Sequence, residues 1–240
     1  IEFASFYRTM GADVTVVEVL PQILPVEDAE IAGFARKQFE KQGIKVLANT
    51  KVTKLDKRAD SVVATIDDGK KPVTLEVDRV ISAVGVVGNI EGFGLEKLGV
   101  KTDRGCIVID GYGKTNVPGI YAIGDVAGPP MLAHKASAQG EMVAEIIAGH
   151  RRRFDPVAIA AVCFTEPEIV SVGLLPDQAP EGVETIVGQF PFQANGRALS
   201  MQAGDDGGFV RILARKSDHR VLGIQAVGRH CSEFAGEFAT

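Results

Sequence analysis

Thr115-Asn116-Val117-Pro118-Gly119-Ile120-Tyr121-Ala122-Ile123-Gly124-Asp125 is the stretch whose reading decides the fold. Ile120 to Ile123 reads as a short apolar strand. It delivers Gly124, a residue without Cβ that lets a ligand approach the backbone. Asp125 then sets a carboxylate at the carboxyl end of that strand, where ligands settle in an open α/β sheet. A Gly-Asp step alone is common; the eleven-residue string is not.

Upstream, Ile1 to Met10 reads as a helix with Ile1, Phe3, Ala4, Phe6 and Met10 apolar, stopped by Gly11. Asp13 to Glu18 is a β-branched run suited to a buried parallel strand. Leu20-Pro21 breaks it. Asp28 to Gln42 is an amphipathic helix stopped by Gly43, and Ile44 to Ala48 is the next strand. Helix, strand, helix, strand with short joints is the rhythm of a doubly wound α/β sheet. Its first strand and glycine-rich turn are expected before Ile1.

The next segments change character. Val52–Leu55, Ser61–Ile66 and Val73–Val77, with an Asp67-Asp68-Gly69 turn, predict an antiparallel meander. Arg79 to Gly85 is expected to return as a buried strand. Cys106 to Ile109 reads as a further short strand, and Leu132 to Ala148 as a long helix ended by Gly149. Asp155-Pro156 marks the expected boundary to alternating strands at Ile169–Val172, Thr185–Phe190, Phe209–Ala214 and Val221–Val227. The fold class is therefore an α/β dinucleotide-binding domain, incomplete and Rossmann-like with an antiparallel meander, followed by an α+β dimerisation domain. The expected division is 1–88 nucleotide-binding, 89–154 a returning cofactor-binding segment and 155–240 an interface domain. Both termini fall inside helical patterns, so the chain reads as an internal piece of a longer protein.

Composition narrows the class. The chain has 240 residues and a net charge of −5. Its basic residues are scattered apart from Arg151-Arg152-Arg153, which reads as a solvated helix end and not a nucleic-acid surface. No apolar stretch approaches the roughly 20 residues of a membrane span, and no leader is recognisable at the N-terminus. Cys106, Cys163 and Cys231 are far apart and odd in number, with neither a C-x-x-C nor a zinc spacing. Three reduced thiols in a cytoplasmic protein are expected, with no metal site.

Glu18 ends its strand where dinucleotide folds place a carboxylate on the adenosine ribose hydroxyls. A carboxylate there repels a 2′-phosphate. Val19, Leu20, Pro21 and Gln22 carry no positive charge to accommodate one, so NAD is expected rather than NADP.

The string ending in Asp125 resembles the second FAD motif of the pyridine nucleotide–disulfide oxidoreductases, in which the Asp accepts a hydrogen bond from the ribityl chain. Met131-Leu132-Ala133-His134-Lys135-Ala136, followed by Gly140-Glu141, is similar to the flavin-contacting helix start of the dihydrolipoamide dehydrogenases. The resemblance implies that Met131, Leu132, Ala133 and His134 meet the flavin edge where charge gathers on reduction. The positive end of the helix would stabilise that charge. Direct acid–base work is not assigned to His134. Ile1 to Phe6 resembles the residues just after the family's glycine turn, so Glu2 matches the glutamate near the nicotinamide. Val52 matches a position beside the adenine, and Ala83-Val84-Gly85 a strand end passing near NAD. Val86 and Val87 stand where many members carry basic residues. Phe164-Thr165-Glu166-Pro167-Glu168, then Val172-Gly173, resembles the start of the family's interface domain.

The resemblance implies FAD and NAD as cofactors and oxidation of protein-bound dihydrolipoamide. The implied partners are lipoyl domains of 2-oxo acid dehydrogenase complexes or of the glycine cleavage system, and a second copy in a homodimer. Bacterial cytoplasm is the implied setting, or the mitochondrial matrix in a eukaryote. The family's redox Cys pair and its base, a His paired with a Glu, match nothing in this chain, so no catalytic residue is assigned. Two alternatives stay open. One is a sibling flavoenzyme (mercuric reductase, glutathione reductase or transhydrogenase), and the other is a non-catalytic dinucleotide-binding subunit.

Overall fold

The computed structural model describes residues 1–203 and 207–240. By their internal contacts they form two units, one of residues 1–80 and 160–240, the other of residues 81–159.

The first unit opens with α1 (Glu2–Thr9), β1 (Thr15–Val17), α2 (Ala29–Lys41) and β2 (Lys45–Leu47). β1 and β2 pair in parallel with Val16 opposite Val46. Asp28 caps α2 by accepting from the Glu30 and Ile31 amides at 2.9 and 3.3 Å. Below that cap, Ile31, Ala35 and Phe39 recur at helical spacing and are fully buried. Each large apolar side chain buried in this way contributes about 1.5–3 kcal/mol. The expected helices and parallel strands are present, each strand shorter than its apolar run.

β3 (Lys51–Lys57), β4 (Val62–Asp67) and β5 (Val73–Val77) form the antiparallel meander in sequence order. The expected strand at Arg79 to Gly85 is absent, and this corrects the sequence reading. Those residues are irregular and exposed, with Val84 95% accessible. β1 and β2 pair only with each other among the described residues. A β-branched run with no neighbour to complete its ladder has no reason to become a strand.

In the second unit α3 (Leu95–Leu98) precedes a two-residue hairpin of β6 (Thr102–Asp103) and β7 (Cys106–Ile107). The anticipated strand at Ile120 to Ile123 is reduced to a single bridge between Lys114 and Tyr121. It is extended chain leading into a 3-10 turn at Gly124–Ala127. Ala122 is buried with Val100 and Ile107 in a small core, so the run serves packing more than pairing. α4 (Ala133–Ile147) follows.

The chain then returns to the first unit with β8 (Ala161–Cys163), β9 (Glu168–Gly173), β10 (Thr185–Pro191), α5 (Gly196–Ser200), β11 (Phe209–Arg215), β12 (Val221–Gly228) and α6 (Ala235–Phe238). The five strands make one antiparallel sheet in the order β10-β11-β12-β9-β8. Ile169, Phe209 and Val227 of this sheet join Ile31, Phe39, Ile44 and Val46 in one core. α2 is thus packed between the parallel ladder and the antiparallel sheet.

Candidate functional site

At the C-terminal end of α1, Arg8 binds the Ala12 and Gln42 carbonyls at 3.0 and 2.7 Å. This end therefore lies at the start of β1 and β2. Glu2, roughly 9 Å away at the other end of the helix, lies toward the strands' carboxyl ends. Its Oε1 accepts the Phe164 amide at 2.8 Å. Ser5 Oγ accepts from the Glu166 amide at 3.4 Å, and Gln42 donates to the Glu166 carbonyl at 2.6 Å. The Phe164–Glu168 segment is thus tied to α1 and the end of α2 by polar contacts that sequence reasoning did not foresee. One oxygen of Glu2 remains for another partner.

Glu18 follows β1 directly. Its amide donates to the Leu47 carbonyl and its carbonyl accepts from Thr50, both at 2.9 Å. The carboxylate accepts the Leu20 amide at 2.9 Å through Oε1. That local turn fixes the side chain and leaves Oε2 for a hydroxyl pair. Val52, on β3 two residues beyond Thr50, is exposed, and the β3–β4 register shifts just after it. Glu18 and Val52 are therefore brought to one edge.

In the second unit Ala83 and Gly85 lie on exposed irregular chain, with Gly85 at φ +119. A Cβ on nearby Gly88 would lie 3.1 Å from the Val126 Cα and 3.5 Å from the Asp125 carbonyl. This segment therefore runs against the Asp125 turn. Asp125 is exposed, and its carboxylate receives no hydrogen bond from the described residues. Its carbonyl closes the turn by accepting from Gly128 at 3.1 Å.

Gly124 also has a packing reason. Its φ is +71, and an added Cβ would stand 2.9 Å from the Ala136 Cβ. The missing side chain admits the α4 helix. The Gly124 amide donates to Gln139 Oε1 at 2.8 Å, and Lys135 Nζ bonds the Gly124 and Gly128 carbonyls. Lys135, Ala136 and Gln139 on one face of α4 therefore grip the turn, which joins Asp125 to the start of that helix. The signal was present as polar residues spaced i, i+4 on a buried face, but a Lys is ordinarily assigned to solvent.

Leu132 is the N-cap of α4 and its side chain makes no cap hydrogen bond. Met131 and Leu132 are half-buried, and Ala133 and His134 are exposed in the first turn. An acceptor with capacity to spare, beside an uncapped helix start, suits a polyol chain and the electron-rich edge of a flavin. The residues present fit that group, and Glu18 fits a ribose diol.

The three cysteines are free thiols. Burial pushes Cys163 up to about 11, against a lowering hydrogen bond from Thr165. Burial, with Glu168 beside it, pushes Cys231 up to about 12. At pH 8 roughly one Cys163 in a thousand is ionised, whereas an ordinary thiol is about a quarter ionised. Iodoacetamide at pH 8 is expected to modify half-exposed Cys106 first, with Cys163 and Cys231 at least about tenfold slower. Peptide mass mapping over time checks the order. Among the described residues no group of His, Cys, Asp and Glu could hold a metal, and no helix is long and apolar enough to cross a membrane.

The first unit combines a parallel ladder ending in an acidic residue with a five-stranded antiparallel sheet, and the second carries an exposed aspartate on a clamped turn before α4. The chain belongs to the pyridine nucleotide-disulphide oxidoreductase family. That family's model matches residues 1–140, and its dimerisation-domain model matches residues 159–240. It is 53% identical to a dihydrolipoyl dehydrogenase of Rhizobium etli, covering 99% of this chain and 50% of the relative. It is 44% identical to that of Zymomonas mobilis, covering 97% and 50%. The crystal structure of LpdA from Mycobacterium tuberculosis superposes with a TM-score of 0.87 at 30% identity, covering 99% of this chain and 51% of that one. The chain spans about half the length of the curated relatives it matches.

Proposed function

We propose that this chain is an internal part of an FAD-dependent dihydrolipoyl dehydrogenase. In this reading electrons pass from protein-bound dihydrolipoamide through a Cys pair and FAD to NAD. When bound, FAD and NAD supply the redox chemistry, and the chain binds, orients and tunes them. Asp125 accepts a ribityl hydroxyl, while Met131, Leu132, Ala133 and His134 line the flavin edge at the start of α4. Glu18 accepts the adenosine ribose hydroxyls, Val52 lies beside the adenine, Ala83 and Gly85 flank the dinucleotide, and Glu2 approaches the nicotinamide. Lipoyl domains of 2-oxo acid dehydrogenase complexes or the glycine cleavage system are the electron donors. Residues 159–240 pair two copies, and the setting is the bacterial cytoplasm or, in a eukaryote, the mitochondrial matrix.

The observation that supports this most is an Asp125 carboxylate that takes no hydrogen bond from the described residues, joined by one clamped turn to an uncapped helix start. A hydrogen bond to a charged group contributes about 1.5–3 kcal/mol. Asp125→Ala in the full-length flavoprotein is therefore expected to weaken FAD binding roughly tenfold to a hundredfold, read by flavin fluorescence on dilution. Wild-type affinity in that variant would remove the assignment. Lipoamide-dependent NAD reduction by the full-length wild type tests the activity itself.

A further inference from the structure

We infer that Lys135 is a positioning residue for the flavin site, a buried cation that holds the Asp125 turn in shape from beneath; this rests on the reading of Asp125 as the ribityl acceptor.

Two local preferences argue against a lysine at this position. It lies in the first turn of α4, where the helix dipole disfavours a cation. It is also only 4% exposed, although lysine is almost never fully buried unless paired. Its partners explain both. Nζ donates to the Gly124 carbonyl at 3.2 Å and to the Gly128 carbonyl, the first residue of the 3-10 turn and the residue that closes it. Burial pulls its pKa down, and the charge of the Asp125 carboxylate acts against that. One ammonium thus bridges both ends of the five residues whose second member is Asp125.

Among the described residues the other side-chain constraints act at the Gly124 end only, and Gly128 is otherwise held by its amide on the Asp125 carbonyl. Gln139 takes the Gly124 amide, and Ala136 packs where a Gly124 Cβ would be. Gly128, at φ +93, has an open side, where an added Cβ would meet nothing closer than Cys106 at 3.8 Å, so sterics do not hold it. Lys135 is the side chain that fixes this end. A residue that violates local preference while satisfying a turn beside a ligand group is the pattern of a functional support. The buried positive charge also favours electron density placed on a neighbouring ligand.

The test compares Lys135→Met, Lys135→Gln and Lys135→Arg. Backbone hydrogen exchange at residues 124–128 of the 240-residue chain is expected to accelerate about tenfold or more in Met and Gln. Arg, which keeps charge and donors, is expected to restore much of the protection. In the full-length flavoprotein, Met and Gln are expected to weaken FAD binding about tenfold and to lower the flavin midpoint potential, with Arg closer to wild type. A structural role alone would not order the potentials by charge. Should Met fail to fold, Gln and Arg carry the comparison. Unchanged exchange at 124–128 in Gln, or a potential that ignores the charge, overturns the inference. If wild type binds no FAD, the flavin reading fails, while the exchange series still decides whether Lys135 holds the turn.

Discussion

Arg211→Ala is expected to cost the fold about 3–5 kcal/mol. Arg211 stands in the middle of β11, and only 5% of its side chain is accessible. Nε donates to Gln225 Oε1 on β12 at 3.3 Å, and Nη1 to Glu30 Oε2 at 3.0 Å. Nη2 lies 2.9 Å from Asp28 Oδ1, yet its N–H directions miss the oxygen and it makes no hydrogen bond. That contact is therefore Coulombic. The guanidinium also sits 5.9 Å from the Phe209 ring centroid.

The partners do not count equally. Glu30 is 56% exposed, so its bridge is screened and worth little. Asp28 is 16% exposed and already holds the α2 N-terminus through Oδ1. Removing Arg211 leaves that carboxylate half-buried without its counter-charge and leaves Gln225, itself fully buried, short of a donor. Glu27, the residue before Asp28, is raised by burial, against the lowering hydrogen bond from Ser171, and the charge of Asp28 raises it further. Urea unfolding of Arg211→Ala measures the loss, and less than about 1 kcal/mol would show that the network is incidental. A cycle with Asp28→Asn, which keeps a capping oxygen, is expected to show about 1–3 kcal/mol of coupling.

Elements whose periodicity is satisfied within the chain were legible beforehand. The Ile31, Ala35, Phe39 stripe gave α2, and the alternating runs gave the meander and four of the five strands of the antiparallel sheet. Short β8, three residues long, was not foreseen. Arg79 to Gly85 and Ile120 to Ile123 carry the composition of strands, but composition cannot supply a ladder partner. In the candidate site Asp125, Glu18 and the start of α4 were singled out beforehand from residue type and position alone. Lys135 and Arg211 were not, because each is a long cation buried where pattern reading places an apolar residue. Their partners are backbone carbonyls and distant carboxylates, fixed only once the chain has folded.

Gly173→Ala is expected to destabilise the antiparallel sheet by about 2–5 kcal/mol. Gly173 ends β9 at φ +75, a left-handed conformation that costs an ordinary residue about 1–2 kcal/mol. Its Cβ would also stand 2.4 Å from the Leu222 carbonyl oxygen, a backbone atom that cannot rotate aside. Opposite it in the ladder is Gly223, whose own Cβ would fall 2.0 Å from the Leu174 carbonyl oxygen. Glycine therefore faces glycine because the two backbones approach too closely for any side chain. The Leu174 amide donates to the Leu222 carbonyl at 2.9 Å across the same gap, so relief of the clash would break the bond that turns the chain out of β9. Gly182 is the control, with φ +77 and open space around its Cβ position. Gly182→Ala carries the strain without the collision and is expected to lose about 1–2 kcal/mol at most, less the gain from a stiffer unfolded chain. The difference between the two variants in urea unfolding isolates the steric part. Equal losses would mean that backbone conformation alone demands the glycine, and that the Val172-Gly173 pair reports a turn and not a close crossing of strands.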